Sequence, residues 1–143
     1  MTDPRLVRAL IAAAAAENAA VYGYSVAGAR LAASDKGVAR TAYDAHRAQT
    51  LVITQWLAQA SATPDPDAPV YQLPSPVTDA SSARAALVSI EESTAAAYAD
   101  VIAAADAPLR RDAALALQLA AVRAAIWRDR AVPFPGLAGR LGL

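Results

Sequence analysis

The stretch SATPDPDAPVYQLPSPVT, residues 61–78, breaks an otherwise helix-forming chain with five prolines in eighteen residues. Proline fixes φ and lacks a backbone donor, so no helix runs through it. Before this stretch, apolar and small residues recur at threes and fours over two segments, about 3–33 and 38–60. After it the same spacing returns over about 79–105 and 107–131. Thr2-Asp3-Pro4, Thr78-Asp79 and Asp106-Ala107-Pro108 are helix starts, each with a capping side chain and two with a proline in the first turn. The tail 133–143, with two prolines and three glycines, reads as docked or frayed.

The connections set the topology. Ser34-Asp35-Lys36-Gly37 and Asp106-Ala107-Pro108 are short enough to force antiparallel hairpins. The middle connection reaches ~55 Å when extended at ~3.3 Å per residue, against ~37 Å for a 25-residue helix. It can therefore cross the whole bundle and start the third helix where the second started. Val70, Tyr71, Leu73 and Val77 give this crossover apolar groups to pack along the way. The expectation is one all-α domain over 1–143, a four-helix bundle running up-down-down-up with a long proline-rich crossover, the connection pattern of ferritin-like folds.

Composition agrees and excludes much else. Alanine fills 41 of 143 positions and supplies most of the 56% hydrophobic content, pointing to helices packed through small side chains. Thirteen basic residues balance thirteen acidic ones, which is not the footprint of a nucleic-acid binder. The absence of cysteine excludes disulfides, thiolate metal sites and cysteine nucleophiles. Twelve of the thirteen basic residues are Arg, which with the alanine excess suggests a GC-rich bacterial genome. Asp3 and Pro4 stand where a secretory leader would be basic, and Glu17 interrupts the apolar run from Ala9 to Ala29. The chain is expected to be cytoplasmic, without a membrane partner.

Several segments carry a resemblance. These are AENAAVYGY (16–24), AYDAHR (42–47), LPSPVTD (73–79), EESTAAAY (91–98) and FPGL (134–137). Together they resemble an uncharacterised ferritin-like domain family found mainly in actinobacteria, over nearly the whole chain. The resemblance implies a fold and no activity. Ferritin-like di-metal proteins use a Glu from each of two helices and a Glu-x-x-His pair from each of the others. On that pattern Glu17 stands for the first carboxylate, Glu91 or Glu92 for the second and His46 for a histidine. The residue three before His46 is Tyr43, however, and the matching positions on the fourth helix are Ala120 and Arg123.

Spacing places these groups independently. Glu17, His46, Glu91 and Arg123 all continue the inward stripes of their helices, where a charge is costly unless paired. With the first turn centred at Asp35–Lys36, His46, Glu91, Arg123 and Tyr24 fall at one height. Glu17 lies beside Tyr98 and Thr54, about 12 Å away from His46 at 1.5 Å per residue. An earlier turn at Gly28 would bring Glu17 and His46 level.

Three readings follow for the cluster Glu17, Tyr24, His46, Glu91, Glu92 and Arg123. In the first, a Glu91–Arg123 ion pair supported by His46 replaces the metal centre. In the second, iron or manganese survives on Glu17, His46 and Glu91 and does redox chemistry. In the third, the groups bond separately at a solvated edge. Tyr43, Trp56, Tyr98 and Trp127 are candidates to line a pocket for a small apolar ligand. Arg110 and Arg111 read as a solvated patch. With no catalytic constellation evident, the favoured expectation is a binding or assembly module without cofactor, pairing as a homodimer.

Overall fold

Aspartate stands before each of the four helices and caps three of them through its side chain. A computed structural model describes residues 2–66, 71–129, 134, 135, 137 and 140. Helix α1 spans Pro4–Gly28, α2 Lys36–Gln59, α3 Ala80–Ala104 and α4 Ala107–Arg128; no strand occurs among the described residues. Asp3 accepts from Arg5 N at 2.8 Å, and Asp106 from Leu109 N at 3.2 Å. Asp79 and Ser82 cap each other's backbone at the start of α3. A 3₁₀ turn, Ala33–Asp35, leads into α2.

Two helix ends differ from the sequence expectation. Helix α1 stops at Gly28 rather than near Ala33, because glycine is the weakest ordinary helix former and the turn beyond it buries Leu31. Helix α4 stops at Arg128, before Pro133 is reached. Asp129 takes a left-handed conformation, and Arg84 donates to both the Ile126 carbonyl and the Asp129 carboxylate.

Arg84 also donates to Asp35 at 2.8 Å. The starts of α2 and α3 and the finish of α4 therefore share one end of the bundle, so α2 and α3 run parallel and the order is up-down-down-up. Helix α1 packs against α2 and α3, and α3 against α4. Of the apolar residues expected to pack along the middle connection, Tyr71 lies 5.7 Å from Tyr22, ring to ring, and Leu73 and Val77 pack on the core. Val70 lies outside the described residues, as does most of the tail 133–143. Arg140 pairs with Asp100 at 2.7 Å.

The core is two apolar clusters, one above the other. Leu10, Ile53, Leu57, Tyr98 and Val101 fill the lower one, near the start of α1. Leu31, Leu87, Ile90 and Trp127 fill the upper. Small residues permit the close approach. A Cβ on Gly23 would fall on Ile90 Cδ1, with Leu73 just behind, whereas Gly28 has open space around it. Gly23→Val is expected to cost about 1–3 kcal/mol through overpacking, while Gly28→Ala leaves stability unchanged or slightly raised. Urea midpoints of the two variants test this contrast.

Candidate functional site: a buried charge layer

Between the two apolar clusters lies a polar layer. Glu17 from α1, His46 from α2, and Glu91 and Thr94 from α3 are each at most 1% exposed. The helical spacing that carries Leu10, Ala13 and Ala20 inward carries Glu17 with them, and His46 and Glu91 follow their own stripes likewise.

His46 sits between the two carboxylates. Its Nδ1 is 2.6 Å from Glu17 Oε2 and its Nε2 is 3.0 Å from Glu91 Oε1. A neutral imidazole has one N–H and would set an acceptor against an acceptor on its other side. Two ionised carboxylates therefore call for the imidazolium, which donates to both. From α4, Arg123 Nε donates to Glu91 Oε1 at 2.8 Å. Two carboxylates then face an imidazolium and a guanidinium, and the layer is neutral.

Three aromatic donors extend the network. Tyr98 Oη donates to Glu17 Oε1 at 2.6 Å, and Tyr24 Oη donates to Glu91 Oε1 at 2.5 Å. Trp127 Nε1 donates to Tyr24 Oη at 2.7 Å. Glu91 Oε1 thus receives three donors, while Oε2 is buried with no partner.

Each titration follows from this geometry. Burial works against a charged His46, but the hydrogen bonds and charges of Glu17 and Glu91 outweigh it and raise its pKa. Burial likewise opposes ionisation of Glu91, yet the His46 bond and the charges of His46 and Arg123 lower its pKa. Burial first, then the adjoining carboxylate, raises both Tyr24 and Tyr98, keeping the phenols protonated as donors.

The layer unites Glu17, Tyr24, His46, Glu91 and Arg123. It corrects the expected 12 Å offset of Glu17, because α1 ends early at Gly28 and the turn centre moves back. Glu92 stays outside: it points away from the layer and pairs with Arg128. The four aromatic candidates do not share a pocket. Trp56 lines a cavity of about 540 Å³ at the end where α1 and α4 begin, and Tyr43 a groove of about 310 Å³ beside Gly28. Tyr98 and Trp127 are buried in the core as donors. Arg110 and Arg111 are both exposed, and Arg110 also donates to the Ile102 and Ala105 carbonyls, closing the end of α3. Neither the Trp127–Tyr24 bond nor the Arg84 clamp is legible in the sequence. Each joins elements far apart in the chain and leaves no local signature.

The model of the family described as Domain of unknown function (DUF4439) matches residues 9–139. The chain belongs to this family. A crystal structure of a conserved hypothetical protein, rv2844, from Mycobacterium tuberculosis is similar to this DUF4439 chain. The likeness covers 90% of this chain and 98% of that one, at 29% identity and a TM-score of 0.86. No curated protein matches the sequence.

Two outcomes follow for this DUF4439 layer. Because the folded pKa of His46 lies above its ordinary 6.5, its contribution is full below that pH and is lost as pH rises through the folded value. Glu91, held below its ordinary 4.5, contributes above that pH and loses its contribution as pH falls through the folded value. Denaturation series across pH should place greatest stability between about 4.5 and 6.5. Second, Arg123→Met leaves Glu91 underpaired and should cost about 3–5 kcal/mol. The double variant Glu91→Gln/Arg123→Met should recover part of that loss, and a double-mutant cycle measures it.

Proposed function

We propose that this chain is a ferritin-like bundle in which an internal salt-bridge network has taken the place of a di-metal centre, leaving a non-catalytic binding or assembly module. One observation carries the reading: both nitrogens of the only histidine are engaged by separate carboxylates, and a guanidinium closes the second of them.

The donor set does not fit a ferritin-like metal pair. Such a pair needs four carboxylates and two histidines on four helices. Here Tyr43 stands three residues before His46, and α4 offers Ala120 and Arg123 at the matching positions. A cation bound by His46 would have to displace one of its carboxylate bonds, beside the fixed positive charge of Arg123. Among the described residues no group of three or more His, Asp or Glu side chains is arranged to hold a metal ion. The orphaned Glu91 Oε2 is a lone acceptor and falls short of a ligand set.

The superfamily assignment draws support from the up-down-down-up order and from the position of the polar layer at mid-height on all four helices. A soluble, cytoplasmic setting is part of the same proposal. Helix α1 is long and apolar enough to span a membrane, but it spends its apolar face on α2 and α3 and its one central charge on His46 and Tyr98.

Elemental analysis of protein purified without chelator tests the proposal. The expected result is neither iron nor manganese near stoichiometry, before or after adding Fe(II) or Mn(II) and desalting. Near-stoichiometric metal that is lost in His46→Ala would overturn it and make the protein a metal-binding redox candidate.

A further inference from the structure

The outward face of α4 carries a second pattern that the bundle does not use. Leu115, Leu119, Val122 and Ile126 are 57%, 49%, 57% and 44% exposed. Their spacing of four, three and four is that of a coiled-coil seam. Between Asp112 and Asp129 every exposed residue of the helix belongs to this stripe, except Gln118. The inward face is separate: Ala113, Ala116, Ala120, Ala124 and Trp127 bury it against the bundle. One helix thus presents two apolar faces, and only one has a partner among the described residues.

We infer that this stripe is the interface of a two-fold homodimer in which α4 packs antiparallel on α4 of a second copy. This deepens the assembly half of the reading above and does not depend on the charge layer. Two observations select a second copy as the occupant. First, the spacing four-three-four reads the same in both directions. An antiparallel pair centred between Ala120 and Ala121 sets Leu115 against Ile126 of the other copy and Leu119 against Val122, so every aliphatic residue meets another. A two-fold interface requires such self-complementarity.

Second, the charges at the two ends of the stripe match across that axis. Arg111 stands in the first two turns of α4 and Asp129 directly after its last residue, where its side chain remains 82% exposed beside Arg84. The antiparallel arrangement brings Arg111 of each copy to the height of the other's exposed Asp129, making two symmetric pairs at the rim. A parallel arrangement would instead gather Arg110 and Arg111 of both copies at one end and set the two stretches of like charge together. It would also align two helix dipoles.

The test uses the full chain and its lack of cysteine. Light scattering at micromolar concentration should give the mass of a dimer. Leu119→Lys, an exposed substitution expected to keep the helical circular dichroism, should halve that mass. For orientation, Leu115→Cys/Ile126→Cys should be joined between copies by a thiol crosslinker shorter than ~16 Å. Leu115→Cys alone should not, since eleven residues at 1.5 Å separate it from the height of its own copy. A monomer at that concentration, a Leu119→Lys dimer, or efficient crosslinking of Leu115→Cys alone would each overturn the inference. A metal-free monomer would leave the charge-layer reading standing, and a metal-loaded dimer would do the reverse.

Discussion

Two carboxylates removed from water have to be met by positive charge at hydrogen-bonding distance, and the centre of this bundle is arranged around that requirement. An isolated buried carboxylate would take up a proton or destabilise the fold. Glu17 and Glu91 avoid both outcomes because His46 lies between them and Arg123 reaches in from α4. Each of the four helices supplies one charged group to the layer. The helices consequently have a single vertical register in which all four charges meet. A shift of one helix by a turn, ~5.4 Å, would part a charge from its partner. The two apolar clusters above and below supply bulk burial but are far more tolerant of such a slip, since alanines dominate the surfaces between them.

Alanine sets the other half of the design. Its small side chain lets helices come close, but it buries little apolar area per residue. The large side chains therefore concentrate in two clusters, and the polar layer lies where few of them reach. Where α1 and α3 come together, Gly23 admits Ile90 at a distance no Cβ would allow. The ends are held by directional bonds: aspartate caps at three helix starts, Arg110 on the last carbonyls of α3, and Arg84 tying α2, α3 and α4. The exposed stripe on α4 stands out against this economy, because four aliphatic side chains line up on one outward face of a single helix.

Much of the layer was legible in the residues. Inward stripes placed Glu17, His46, Glu91 and Arg123 in the interior, and counting from the turns set Arg123 beside Glu91 and Tyr98 beside Glu17. What failed was the height of Glu17 relative to His46. That height depends on where the first turn falls, and the interrupting residues 34–37 looked like its centre. The helix instead breaks at Gly28, and a 3₁₀ turn takes up the residues in between. Glu92 shows the complementary error: it is adjacent to Glu91 in sequence but 100° away around the helix, so it meets Arg128 at the surface.

The sequence by itself determined the number of helices, the caps that start three of them, their inward faces and which charged groups they carry inward. These follow from local rules: capping chemistry, helical periodicity and proline's missing donor. Only the tertiary structure decided which charge meets which atom. That both imidazole nitrogens are engaged, that Trp127 supports Tyr24 and that Arg84 binds three elements depends on the relative heights and rotations of helices. These are fixed by packing between segments far apart in the chain, and no local stretch of residues encodes them.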